Sequence, residues 1–203
     1  EDEDFLYRFT LSDEIILYDK NNLLANKNGP TMIQIDYHDI KTNSMYQTIV
    51  SNNPNSFLLN DELYDLVKKS KVLDLNSHYL YLLQTTHFKN SCSIALFENQ
   101  IVGFVSGYYL PNENNTLFIW QVAVDENHRG KNLALNLIDN IVSRKNIRYL
   151  ISTVSPSNIS SQRVFEKFAK KYEANIEKST LFFIEDFVNS HEEEVQFKIG
   201  PIK

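Results

Sequence analysis

Val122-Ala123-Val124-Asp125-Glu126-Asn127-His128-Arg129-Gly130-Lys131-Asn132-Leu133-Ala134 passes from one kind of secondary structure into another. Val122 to Val124 close a strand-like run that begins at Thr116. From Leu133 onward, Leu135, Leu137, Ile138, Ile141 and Val142 recur at the spacing of a helix face. The turn between them is polar and carries Arg129, Lys131 and the permissive Gly130. A helix N-terminus has free N–H groups and partial positive charge, so a strand–turn–helix of this kind suits a pyrophosphate. Arg129 and Lys131 would add charge-assisted hydrogen bonds. The turn has no Gly-Lys-Ser/Thr and lacks the triple-glycine dinucleotide spacing. On its own, the segment is equally compatible with an ordinary turn whose charges are solvated.

Outward from this turn the chain stays orderly. Upstream, Thr116–Asp125 follows a polar turn at Pro111–Asn115. Before it, Ser93–Glu98 and Gln100–Tyr109 form a hairpin. Two helices are expected earlier, His78–His87 and Asp61–Ser70. The second is expected to be capped by Asn60, with acids in its first turn and lysines in its last. Downstream, Tyr149–Val154 is β-branched, Pro156 and Ser157-Asn158 stop it, and a helix runs to about Lys171. Glu194–Ile199 reads as a last strand. Strands alternate with helices only in this second half, which predicts a mixed α/β sheet. Residues 1–55 are irregular and Asn-rich, with strand-like pieces at Phe5–Thr10, Glu14–Tyr18, Met32–Tyr37 and Tyr46–Val50. They are expected to be an N-terminal extension, an edge hairpin or a partner-binding segment, beside an orderly domain over 56–203.

Composition narrows the functional classes. The chain has 203 residues, 26 acidic and 20 basic, with a net charge of -6. A nucleic-acid surface needs a basic field, so none is expected. Cys92 is the single cysteine, which leaves no intrachain disulfide and no cysteine zinc site, and it reads as a buried thiol. His38, His78, His87 and His128 read as structural or exposed, and no metal-ligand spacing appears among them. No run approaches the roughly 20 apolar residues of a membrane span. Glu1-Asp2-Glu3-Asp4 is unlike a signal peptide, so a reducing, cytoplasmic setting is expected.

Arg129-Gly130-Lys131-Asn132-Leu133-Ala134 resembles the Arg-x-x-Gly-x-Gly/Ala loop of the GNAT N-acetyltransferase superfamily. The resemblance implies an α+β fold whose mixed, mostly antiparallel central sheet is flanked by helices. It also implies acetyl-CoA as co-substrate, no metal, and a homodimer. Arg129, Gly130, Lys131, Asn132, Leu133 and Ala134 would then surround the CoA pyrophosphate. Gln121, Val122 and Val124 would lie along the pantetheine arm, with backbone amides at Val122 polarising the thioester carbonyl. Asn158-Ile159-Ser160-Ser161-Gln162-Arg163-Val164-Phe165 resembles the family's Asn-x-x-Ala-x-x-Leu-Tyr segment, which adds Asn158, Ser161 and Phe165 to the cofactor side. Asn132 stands where glycine is usual, but Asn is the non-glycine residue that best tolerates positive φ. Phe165 replaces a tyrosine thought to protonate the departing thiolate. A thiolate with a pKa of about 8.5 leaves tolerably without an assigned acid.

Further segments resemble the L-2,4-diaminobutyric acid acetyltransferases of ectoine synthesis. They are Val72-Leu73-Asp74-Leu75-Asn76-Ser77-His78-Tyr79, Leu117-Phe118-Ile119-Trp120-Gln121-Val122, Ser152-Thr153-Val154-Ser155-Pro156-Ser157-Asn158, and His191-Glu192 with Glu194-Val195. Together they span about residues 57–202 and imply a small diamino acid as acetyl acceptor. Such a molecule carries two ammonium groups and a carboxylate, so its site should offer acids, hydrogen-bond acceptors and aromatic faces. Asp74 and Glu194 are candidate ammonium holders, and Tyr79 and Trp120 candidate walls. Asn76, Ser77, Thr153 and Ser155 are candidates to orient the carboxylate or α-amine. Blander roles stand beside these: Asp74 or Asn76 as a helix cap, Trp120 in the core, His191 and its glutamates as a solvated tail. The attacking amine must lose a proton, and Glu194, Glu192 and His191 are unranked candidates for the base. Another amine or polyamine as acceptor, or a non-catalytic CoA sensor, are the alternatives.

Overall fold

A computed structural model describes the backbone of residues 5–9, 15–18, 23–26, 32–39, 44–51 and 56–61. It describes backbone and side chains for residues 62–202 other than 71, 72, 74, 98, 99, 114, 189 and 190. Among the described residues the strands are β1 (Phe5–Phe9), β2 (Ile15–Tyr18), β3 (Leu23–Asn26), β4 (Met32–Asp39), β5 (Ser44–Ser51), β6 (Ser93–Phe97), β7 (Gln100–Tyr109), β8 (Thr116–Val124), β9 (Tyr149–Val154), β10 (Asn175–Phe182) and β11 (Glu194–Gly200). The helices are α1 (Ser56–Ser70), α2 (His78–Thr86), α3 (Leu133–Val142) and α4 (Ile159–Lys171).

The strands of the main sheet lie in the order β1-β4-β5-β6-β7-β8-β9-β11-β10, and β2 pairs with β3 apart from it. Every pairing in the main sheet is antiparallel except β8 with β9. A parallel neighbour needs a crossover, and α3 supplies it. The mixed, mostly antiparallel sheet flanked by helices is therefore the architecture. The sheet also runs on into β5, β4 and β1, with β5 paired to β6 from Gln47↔Leu96 to Ile49↔Ile94.

Alternation along β7 shows how both faces are covered. Phe104 is fully buried in one cluster, with Leu63, Leu66 and Val67 of α1 and Tyr81 of α2. Val105, next in sequence, is fully buried in the other, with Leu133, Leu137, Ile138 and Ile141 of α3 and Phe165 and Phe168 of α4. Successive side chains of a strand face opposite ways, so one strand serves two cores. Each fully buried residue of this size contributes about 1.5–3 kcal/mol.

Past the end of α3, Arg144 is tied into the body of the fold. Its Nη1 donates to the carbonyls of Lys89 (3.1 Å), Asn90 (3.3 Å) and Cys92 (2.7 Å). Burial draws its guanidinium pKa down to about 10. The Cys92 thiol is buried, and that burial pushes its pKa up to about 12, so it stays protonated at neutral pH.

Three sequence expectations change. The first long helix begins at Ser56, which places Asn60 inside it and not at its cap. The apolar triplet Phe57-Leu58-Leu59 extends the helical pattern upstream. β3 and β10 were not expected. β10 is an edge strand with charged Glu177 and Lys178 in its middle, a composition that protects edges and hides strands from pattern reading.

Candidate active site

β8 and β9 pair from Thr116↔Tyr149 to Ile119↔Ser152, and the described pairing stops there although both strands continue. Two features separate them. On the far side of β8 the register to β7 shifts between Ser106↔Gln121 and Gly107↔Ile119, so Trp120 is an extra, bulged residue. A bulge bends its strand and re-aims side chains. Gly107 makes this possible, because a Cβ there would lie 2.4 Å from the Phe118 carbonyl oxygen. On the near side, Ser152 Oγ donates to the Ile119 carbonyl at 3.0 Å, which satisfies the last acceptor before the strands part.

The split opens a cleft of about 280 Å³. Trp120, Gln121 and Val122 line it from β8, and Ser152, Thr153, Val154 and Ser155 from β9 and its end. Asn158, Ser161 and Phe165 line it from α4. Leu73, Phe182, Phe187, His191 and Glu194 complete the wall. Trp120 is 47% exposed, so its indole belongs to the cleft and not to the core.

A cluster of polar and titratable side chains sits where β11 begins. Ser155 Oγ donates to Glu194 Oε1 at 2.8 Å. His191 Nε2 lies 4.0 Å from the same oxygen. His191 Nδ1 is 2.6 Å from the Glu192 carbonyl, and its ring stacks on Phe187 with centroids 4.1 Å apart. A carbonyl only accepts, so Nδ1 carries the proton, and in the neutral ring Nε2 is an acceptor. A carboxylate oxygen and an imidazole lone pair that face each other in this way suit a cationic donor.

The turn after β8 adopts the conformation that an anion site needs. Gly130 has φ 78°, and a Cβ there would meet nothing within 4 Å. Asn132 has φ 54° and ψ 19°, a left-handed conformation directly before α3. Asn132 Oδ1 accepts from Lys167 Nζ of α4 at 2.9 Å, and Arg129 Nε donates to the Val124 carbonyl at 3.1 Å. Asn158 caps α4 by accepting from the Ser161 amide at 3.1 Å. These residues fit a phosphate-bearing cofactor: open space over Gly130, a helix start without a side-chain cap, and nearby cations. His128 sits beside this loop against Phe97, and burial and then Lys131 pull its pKa down. His78 stacks on Tyr64, in keeping with a structural role.

The expected site residues thus separate. Trp120, Gln121, Val122, Thr153, Ser155, Asn158, Ser161, Phe165, His191 and Glu194 share the cleft. Val124, Arg129, Gly130, Lys131, Asn132, Leu133 and Ala134 continue from it along the loop into α3, where Leu133 is a core side chain that can offer only its backbone. Ser77 caps α2, accepting from the Leu80 amide at 3.3 Å, and Tyr79 is 68% exposed; neither lines the cleft. Asn76 reaches it indirectly: its backbone N–H donates to Tyr81 Oη at 3.4 Å, and that hydroxyl donates to Gln121 Oε1 at 3.4 Å. Glu192 lies outside the lining and is bound by Ser157. Asp74 lies outside the described residues. Tyr81, Ser152, Phe182 and Phe187 are additions. Phe182 ends the unforeseen β10 and Phe187 follows it, so neither had a pattern to reveal it. Tyr81 was hidden in an aromatic helical run.

Among the described residues no group of three or more His, Cys, Asp or Glu is placed to hold a metal ion, and no helix is long and apolar enough to cross a membrane.

Residues 60–169 match the model of the acetyltransferase (GNAT) family. Over 144 residues the chain is 40% identical to the L-2,4-diaminobutyric acid acetyltransferase of Marinococcus halophilus, covering 69% of this chain and 83% of that protein. Its counterpart in Streptomyces coelicolor is 40% identical over 146 residues, covering 69% and 86%. The structure of diaminobutyrate acetyltransferase EctA from Paenibacillus lautus, in complex with L-2,4-diaminobutyric acid and coenzyme A, is 34% identical, with a TM-score of 0.68 over 71% of this chain and 90% of that one. The NatC complex bound to Gag peptide and CoA, at 17% identity and a TM-score of 0.57, shares the fold alone. With the split sheet, the left-handed loop and the Ser155–Glu194–His191 group already in place, the conclusion is that the chain belongs to the acetyltransferase (GNAT) family and, within it, to the L-2,4-diaminobutyric acid acetyltransferases.

Proposed function

We propose that the chain transfers an acetyl group from acetyl-CoA to the side-chain (γ) amine of L-2,4-diaminobutyrate, giving Nγ-acetyl-diaminobutyrate, the precursor of ectoine. The observation that carries this reading is the meeting of Glu194, His191 and Ser155 in a cleft walled by Trp120, at the mouth of the β8–β9 split. The relatives' names support the substrate and the co-substrate.

The chemistry follows from the groups in the cleft. An amine with a pKa near 10.4 is almost wholly protonated at neutral pH, and freeing its lone pair costs about 4–5 kcal/mol. The second ammonium of a diamino acid lowers that cost by like-charge repulsion. Glu194 holds the ammonium and takes its proton, directly or through His191 Nε2. Ser155 fixes the carboxylate by its hydrogen bond, and Trp120 offers an aromatic face to the cation. Thr153 and the Tyr81-linked Asn76 orient the α-amine and carboxylate end. The neutral amine then attacks the thioester carbonyl in a ternary complex; a C–N bond forms, the C–S bond breaks, and the extra proton on the new amide nitrogen passes to the departing thiolate. Backbone amides freed where β8 parts from β9 polarise that carbonyl. Phe165 is buried and has no hydroxyl, so the thiolate leaves without a tyrosine acid at that position. The loop from Arg129 to Ala134 holds the pyrophosphate.

The same proposal places the enzyme in the cytoplasm as a homodimer, with residues 1–55 as an extension beside the acetyltransferase domain of 56–203. An exposed apolar run from Leu181 to Ile184 supports a protein–protein contact. Asn132 gives no support to a degenerate loop, because it adopts a left-handed conformation directly before α3.

The test is free-thiol release from acetyl-CoA with L-2,4-diaminobutyrate, run beside ornithine, lysine and spermidine. Diaminobutyrate-dependent release is expected, falling about 10²- to 10⁴-fold in Glu194→Gln. Release driven better by spermidine would discard the substrate, and acetyl-CoA binding without release on any amine would discard the enzyme.

A further inference from the structure

Backbone pairing between β9 and β11 ends at Val154 and Val195. Two residues past Val154, beyond the end of β9, stands Pro156, which has no N–H to donate. Beyond this point side chains carry the same register. Glu194, one step past Val195, accepts from the Ser155 hydroxyl at 2.8 Å. Glu192, two steps further, accepts from the Ser157 amide with Oε2 at 3.0 Å and from the Ser157 hydroxyl with Oε1. The first rung faces the cleft and the second is exposed, outside its lining. Glu192 also supplies the carbonyl that holds His191 Nδ1. Both oxygens of its carboxylate are engaged by Ser157, and those hydrogen bonds hold its pKa below the usual carboxylate range. A carboxylate so occupied, outside the cleft, is poorly placed to receive a substrate proton.

We propose that Glu192 is a positioning residue: its two-point grip on Ser157, with its carbonyl on the His191 ring, fixes the carboxylate of Glu194 and the tautomer of His191 against the β9–α4 turn. The kinetic part of this proposal rests on the acetyl transfer proposed above; the grip itself does not. Losing the grip lets residues 191–194 shift relative to Ser155. A misplacement of that kind acts on kcat, because a 1 Å error can cost about 100-fold, while the cofactor loop is untouched.

The experiment compares Glu192→Ala, Glu192→Gln, Ser157→Ala and the double variant Glu192→Ala/Ser157→Ala with wild type, using diaminobutyrate and acetyl-CoA across pH. Glu192→Ala and Ser157→Ala are expected to lower kcat by about 10- to 100-fold with the KM for acetyl-CoA unchanged. Glu192→Gln, whose amide oxygen still accepts from Ser157, recovers most of the loss. The double variant is no worse than the poorer single one, since the two residues act as one unit. All keep the wild-type shape of the kcat/KM pH profile. Wild-type kcat in Glu192→Ala overturns the proposal, as do additive losses. Loss of the acid limb in both Glu192→Ala and Glu192→Gln overturns it too, by making Glu192 the base. Independently of turnover, the ¹³C titration of the Glu192 carboxyl should fall below the usual range in wild type and rise in Ser157→Ala. No difference between them overturns the grip. A wild type that releases no thiol with diaminobutyrate, yet shows that titration difference, overturns the activity reading and leaves the grip standing.

Discussion

Asn132 stands where the loop pattern it resembles has glycine, and it adopts φ 54° itself. Left-handed backbone costs most L-residues roughly 1–2 kcal/mol, and Asn is among the few that visit it routinely. Asn132→Gly should therefore bind acetyl-CoA as wild type does, while Asn132→Val should raise its KM by about tenfold or more, reported by initial rates at saturating amine. Much of this was legible beforehand, since the left-handed tolerance of Asn is a local property. The hydrogen bond from Lys167, 35 positions away, was not. The same contrast separates Glu194 from Glu192. Both lie in one His-Glu-x-Glu word, and only the facing strand tells which carboxylate enters the cleft. Ser77 caps α2 and Tyr79 is exposed, placements that the motif they share did not specify.

At the scale of elements, the β8 bulge is the device that makes a sheet into an active site. Nothing in the alternation of Thr116 to Val124 announces the extra residue, because a bulge is a matter of what lies opposite, and its partner Gly107 belongs to another strand. Gly107→Ala should displace β7 from the Phe118 carbonyl, lower stability by about 1–3 kcal/mol in urea unfolding, and depress kcat as the cleft closes or tilts. β10 was missed because charges punctuate it, and α1 was shortened because a plausible cap at Asn60 interrupted a longer pattern. The helices and strands from β6 to α4 were readable because period two and period 3.6 alternate there with few interruptions.

At the scale of the molecule, the alternation of strands and helices in the second half of the chain pointed to a mixed sheet; that β8 and β9 are its parallel pair, joined by α3, is what the structure adds. The far end of the chain leaves Phe182, Phe183 and Ile184 exposed beside the cleft. If a second copy covers them, sedimentation of the wild type should give the mass of two chains. Phe183→Glu combined with Ile184→Glu should then give the mass of one; an unchanged mass would place the contact elsewhere.

The gap between β8 and β9 also has a thermodynamic side. A sheet that parts in its middle carries two inner edges with hydrogen-bonding groups to spare, and any ligand whose own amides lie between them joins the ladder. Its binding energy then counts toward folding. At a hundredfold excess over its dissociation constant, such a ligand adds about 2.7 kcal/mol to stability. The unfolding free energy of this protein would rise and fall with the supply of acetyl-CoA, tying its resistance to transient opening to the metabolic state of the cell that makes it.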